Sequence, residues 1–212
     1  TDSLFTTLPG YAGSVINDDL VAYGPFGTHQ MSYTYDNGKG LTAAIGLEAE
    51  ISDPATPFDA YNTDAPHVVG GAAYSGEWGG VSAVGAYDAA WGEFAAKARP
   101  DVKASDAVSL FVMGGWKSGD LVDLDGDGVA ETIPNYYGPW GGEWALWGGG
   151  SVTVSEKATL NAQLSYDADR NFAAVANVAY QLVPDLSVTP EIAYTDNLDT
   201  ADDDAFGGYV RF

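Results

Sequence analysis

Apolar and polar residues alternate with period two along most of this chain, the rhythm of β-strands that present one face to an apolar medium. Leu41, Ala43, Ile45 and Leu47 alternate with Thr42, Ala44, Gly46 and Glu48. Leu160, Ala162, Leu164 and Tyr166 oppose Asn161, Gln163, Ser165 and Asp167 in the same way, and Val188, Pro190, Ile192 and Tyr194 oppose Ser187, Thr189, Glu191 and Thr195. Eleven such strands are predicted, over residues 28–36, 41–51, 67–78, 81–91, 93–103, 107–117, 143–155, 159–167, 171–183, 187–195 and 205–212. Short connections such as Asn37-Gly38-Lys39-Gly40, Gly79-Gly80 and Pro184-Asp185-Leu186 carry the residues that tight turns need. Longer acidic stretches at 52–66, 118–142 and 196–204 separate them.

Two all-β architectures fit that rhythm. A soluble β-sandwich turns its apolar face inward and has little need of regularly alternating short and long connections. A transmembrane antiparallel β-barrel turns its apolar face to lipid and its polar face to a lumen, with short turns at one rim and long loops at the other. Aromatics near the strand ends favour the barrel, because Tyr33, Tyr35, Tyr74, Trp78, Trp91, Trp116, Trp144, Tyr166, Tyr194 and Phe212 have the placement of interfacial girdles. Nowhere does the chain approach the roughly 18 consecutive apolar residues of a membrane helix. Its start, Thr1-Asp2-Ser3, lacks the basic region and apolar core of a secretory leader, so a mature or trimmed form is expected.

The final strand sharpens this reading. Phe206, Val210 and Phe212 share one face, and a last strand ending in an aromatic resembles the recognition signal of outer-membrane barrel proteins. Ser3–Tyr11, Val81–Asp88, Val108–Gly115, Leu164–Asp169, Phe172–Tyr180 and Phe206–Phe212 resemble segments of alphaproteobacterial general porins of the Rhizobiales type, with the run 67–117 the most specific. The resemblance implies a sixteen-stranded barrel, narrowed by a third loop folded into the lumen. It also implies a homotrimer in the outer membrane of a Gram-negative bacterium. On this reading residues 1–27 are the constriction loop, residues 28–212 are strands six to sixteen, and five preceding strands are missing. A rival count takes Leu20–Tyr23 as a twelfth strand that closes a smaller barrel.

Charge and composition then limit the chemistry. Thirty acidic against eight basic residues give a net charge of −22, which disfavours binding to nucleic-acid phosphates. Cysteine is absent and only His29 and His67 are present, so thiol catalysis, disulfides and His-rich metal sites are not expected. No arranged catalytic Ser, His and Asp stands out, and no enzyme activity is expected. In strand 93–103 the outward parity of Phe94, Ala96 and Ala98 turns Glu93, Lys97, Arg99 and Asp101 inward. Lys97 and Arg99 make a positive rung that Asp2, Asp18 and Asp19 of the constriction loop would face across the pore. The alternative is a polar wall in which the two cations pair locally with Glu93 and Asp101.

Asp123-Leu-Asp125-Gly-Asp127-Gly128 has the spacing of a calcium loop, with Glu131 at the ninth position but Pro134 at the twelfth. It reads either as an acidic external loop or as a weak Ca²⁺ site; no other cofactor is expected. The expected function is passive diffusion of small hydrophilic solutes and ions, with lipid and lipopolysaccharide as surroundings. A substrate-specific channel and a structural outer-membrane protein without an open pore are the alternatives.

Overall fold

A computed structural model describes residues 1–11, 15–50, 65–119, 121–122, 131–132, 135–201 and 203–212. One helical turn, α1 (Leu4–Thr7), precedes β1 (Thr28–Asp36), β2 (Leu41–Glu50), β3 (His67–Gly76), β4 (Gly79–Asp88), β5 (Glu93–Lys103) and β6 (Val108–Lys117). Two dipeptides, β7 (Leu121–Val122) and β8 (Glu131–Thr132), pair only with each other. There follow β9 (Trp144–Ser155), β10 (Ala158–Asp167), β11 (Asn171–Val183), β12 (Leu186–Asn197) and β13 (Ala205–Arg211). Apart from β7 and β8, the strands form one antiparallel sheet of eleven in sequence order, the expected number at nearly the expected boundaries. Turn chemistry sets the first hairpin: Asn37 Oδ1 accepts from the Lys39 and Leu41 amides, and Gly38 sits at φ +65°, a conformation costly for residues with a Cβ.

The sheet is inside out relative to a soluble protein. Met31, Tyr33, Ile45, Phe94, Val112, Leu164, Ile192 and Val210 are exposed. Glu48, Asp88, Lys97, Asn161, Gln163, Asp167, Asn177 and Glu191 are buried. Charged side chains are almost never fully buried unless paired, so this face has partners to supply. Followed through the pairing registers, the outward strand positions from His29 to Tyr194 hold no Asp, Glu, Lys or Arg. A sandwich would have hidden that apolar face. Tyr33, Tyr35, Tyr74, Trp78, Trp116, Trp144 and Phe212 stand exposed, whereas Trp91, Tyr166 and Tyr194 are half-buried.

The twelve-strand count does not hold. Leu20–Tyr23 pairs with no strand, and crosses the inward face of the sheet instead. With eleven strands in an antiparallel series, β1 and β13 run in the same direction, so they cannot close antiparallel on each other.

A charge at the centre of the outward face is expected to cost about 2–4 kcal/mol in a bilayer. Ala162→Arg, in mid-β10, should therefore lower the unfolding free energy in lipid vesicles by that amount, measured by urea titration, while Ala162→Leu leaves it near the parent value.

Candidate functional site: two segments laid on the polar face

Residues 1–11 and 15–27 run over the inward face with only one helical turn, so most of their backbone has no ladder to satisfy it. Buried N–H and C=O groups need partners, each costing about 1–3 kcal/mol when unmet. The partners are the charged and amide side chains of the wall. On β2, Glu48 accepts from Ser3 Oγ at 2.7 Å, the Leu4 amide at 2.8 Å and Gln30 Nε2 at 2.8 Å. Ser3 also caps α1 by accepting from the Phe5 amide at 3.0 Å, so one carboxylate fixes the helix start twice over.

From Tyr23 back to Ile16 the segment crosses successive strands. Lys97 on β5 donates to the Tyr23 carbonyl and lies over the rings of Phe5 (4.5 Å) and Tyr23 (5.4 Å). Trp147 Nε1 on β9 donates to the Val21 carbonyl at 2.8 Å, and Gln163 Nε2 on β10 donates to the Asp18 carbonyl at 2.7 Å. Glu191 on β12 accepts from the Ile16 amide, from the Asn17 amide at 2.9 Å and from Asn17 Nδ2 at 2.7 Å. Asn177 Nδ2 also donates to Glu191 at 2.9 Å, and is oriented by Asn161 at 2.7 Å. Cationic and amide N–H groups thus take carbonyls, while carboxylates take N–H groups.

The sequence singled out seven residues for this face. Glu93, Lys97, Arg99 and Asp101 lie on the inward side of β5, but Lys97 is only 2% exposed and Arg99 9%. Arg99 donates through Nη1 to the Tyr11 carbonyl, holds Asp101 through Nε and Nη2 (2.7–3.1 Å), and lies 4.4 Å from the Phe111 ring. Glu93 accepts from Ser118 Oγ and pairs with neither cation. Asp2 accepts from the Tyr11 hydroxyl, Asp18 accepts from the Tyr23 hydroxyl at 2.9 Å, and Asp19 is exposed. Among the described residues no ion pair joins Lys97 or Arg99 to Asp2, Asp18 or Asp19. Asp123, Asp125, Asp127 and the Glu131 side chain lie outside what the structure describes.

A second inward segment was not foreseen. Residues 118–142 read as one external loop, yet Asn135–Gly142 folds onto the polar face, with Tyr137 and Trp140 buried. Its amides go to carboxylates, Tyr136 to Asp88 at 2.8 Å and Gly141 to Asp167 at 2.9 Å. Lys117 Nζ takes its Gly138 and Trp140 carbonyls at 2.7 and 2.8 Å. The Tyr137 hydroxyl joins Glu48 at 3.1 Å, and burial first, then that carboxylate, pushes the phenol pKa up. His67 belongs here too. Buried at the start of β3, it accepts the Ala89 amide at Nδ1 (3.0 Å), lies 3.3 Å from Asp88, and stacks on Tyr136. The sequence places His67 at the start of a strand beside a loop; the strand register sets it beside Glu48, and Tyr136 of the second segment covers it.

A family model described as the porin subfamily matches residues 1–209. Porin Omp2a of Brucella melitensis is 44% identical over 218 residues, covering all of this chain and 56% of that protein. Porin Omp2b of Brucella neotomae is 41% identical over 220 residues, covering 58% of that protein. The chain thus spans little more than half the length of the curated relatives it matches. Among solved structures, the outer membrane channel DcaP of Acinetobacter baumannii superposes with a TM-score of 0.63 at 16% identity, over 99% of this chain and 68% of that one. A mutant porin of Rhodopseudomonas blastica gives 0.64 at 12% identity, over 99% and 69%. The eleven strands are therefore part of a transmembrane antiparallel β-barrel wall of the outer-membrane porin type.

Burial holds the Asp18 carboxyl above the usual carboxylate range; the Tyr23 bond opposes that shift, and the Asp19 and Glu191 carboxylates add to it. The docked segment therefore binds this proton more tightly than a released one. The Asp18 contribution to docking should strengthen as pH falls through the raised value, reach its full gain below the ordinary value near about 4, and be lost as pH rises. Hydrogen exchange of amides 16–23, corrected for intrinsic rates, should show this dependence, and Asp18→Asn should flatten it and slow exchange at neutral pH.

Proposed function

The chain belongs to the porin subfamily, and on that footing we propose that it lines a water-filled channel through which small hydrophilic solutes and ions cross the outer membrane of a Gram-negative bacterium passively. The observation that carries this reading is the two-faced sheet, apolar outside but for Asp196 near one strand end and charged inside, with backbone segments narrowing the charged side. Closing the barrel in alternating direction takes an odd number of further strands between β13 and β1, and five would make sixteen. Eleven strands of sixteen is the same share as the 69% of the Rh. blastica porin that this chain covers.

Passage rather than a specific substrate track is supported by the aromatic residues. Trp140 and Trp147 are 2% and 1% exposed and pack edge to face with each other, so neither ring is free to form part of a slide. Passage rather than catalysis is supported by His67, whose ring is stacked under Tyr136 and whose Nδ1 is taken by a backbone amide. A homotrimer and acidic loops bridged to lipopolysaccharide by divalent cations complete the proposal. Weak Ca²⁺ binding at Asp123, Asp125, Asp127 and Glu131 belongs to it as well; calorimetric titration with CaCl₂ should give a heat that Asp125→Asn removes, and a heat unchanged in that variant refutes the site.

Planar-bilayer recording of the full-length protein tests the channel itself. Stepwise conductance without saturation by sugars is expected, whereas absence of steps favours a structural outer-membrane protein. Reversal potentials across a KCl gradient should show a weak preference for K⁺, since Lys97, Arg99 and Lys117 are buried while Asp2, Asp18 and Asp19 keep exposed surface. Anion preference would contradict that expectation.

A further inference from the structure

Asn135–Gly142 touches the first segment at two places and meets a wall residue that holds it at a third. The Tyr136 hydroxyl donates to the Gly27 carbonyl. Tyr137 shares Glu48 with Ser3 and Leu4, and its ring packs 5.3 Å from Phe5. Trp140 packs edge to face at 5.6 Å on Trp147, the side chain that holds Val21. Displacing the second segment therefore removes side support from the first along most of its length.

One side chain anchors the middle of this second segment. Lys117, 8% exposed at the end of β6, has no carboxylate within ion-pair distance among the described residues, and its ammonium meets the Gly138 and Trp140 carbonyls. A buried cation is tolerated only where dipoles or charges replace its water, so the carbonyls and the ammonium hold each other. Space is matched as closely as charge. A Cβ on Gly138 would stand 2.6 Å from Lys117 Cδ, and one on Gly115, two residues before Lys117, would stand 2.9 Å from the Trp140 ring.

We propose that Asn135–Gly142 is a second constriction element and that Lys117 is its positioning residue, so that the width of the pore is set jointly by both inward segments. This rests on the porin reading above. Lys117 does not act as a field-setting charge, because its ammonium is enclosed by the backbone it holds. Arg retains donors for the carbonyls, whereas Met keeps a long stem without any.

The test records single-channel conductance of the full-length protein and the entry of neutral sugars of graded size into proteoliposomes. Lys117→Met should raise the unit conductance and admit larger sugars while leaving the reversal potential in place, and Lys117→Arg should restore the parent values. Gly115→Ala, which forces the Trp140 ring off the wall without touching a charge, should give the same widening. If folded Lys117→Met and Gly115→Ala channels both keep the parent conductance and sugar limit, the second constriction is overturned although the porin reading stands. A shifted reversal potential at unchanged conductance would equally overturn it, by placing Lys117 on the ion path. If the parent protein forms no channel, the porin reading itself fails.

Discussion

Backbone that leaves the sheet but stays inside a barrel must find a partner for each N–H and C=O group, and the organisation of this polar face follows from that constraint. Strand backbone is satisfied by the next strand. Residues 1–11, 15–27 and 135–142 have almost no ladder of their own, and the wall provides for them with charged groups sorted by sign: Glu48, Asp88, Asp167 and Glu191 receive amides, while Lys97, Arg99 and Lys117 donate to carbonyls. Hydrogen bonds to charged groups contribute about 1.5–3 kcal/mol each, roughly twice a neutral bond. Irregular segments gain enough from a handful of such bonds to stay docked without a ladder.

The same bonds change what the charges can do. Parity alone turns Lys97 and Arg99 toward the lumen, and an arginine on the lipid side would cost about 2–4 kcal/mol, so their inward direction is well founded. Whether an inward cation acts on passing ions depends on what lies between it and the water. Here a carbonyl and two aromatic rings enclose Lys97, and a carbonyl, Asp101 and the Phe111 ring enclose Arg99. The acids on the segment surface, Asp2, Asp18 and Asp19, remain partly open, whereas these two cations are buried.

Strands, turns and the identity of the two faces were legible because they are local. Alternation at Leu41–Glu48 or Leu160–Asp167 assigns a face residue by residue, and Asn37-Gly38 marks its own turn. The inward fold of Asn135–Gly142 was not legible, because a segment with no ladder has no period. Its partners, Asp88, Lys117, Asp167 and Glu48, are spread over four strands. The mutual enclosure of His67, Asp88 and Tyr136 escaped for the same reason: each residue obeys local parity, and their contact arises only when three separate elements are assembled.

A signal for that missing layer was nonetheless present in the inward glycines. An inward strand position facing water gains nothing from being bare, and glycine in a strand interior is unfavourable. Gly46 and Gly115 are inward on β2 and β6, and a Cβ on them would reach Leu4 Cδ1 and the Trp140 ring, both at 2.9 Å. Each is bare where one of the two segments rests on the wall. At these two positions the missing Cβ makes room for chain folded inside the barrel. On β6 the bare position Gly115 lies under the Trp140 ring, two residues before Lys117, so the room for the second segment and the cation that holds it sit on one stretch of one strand.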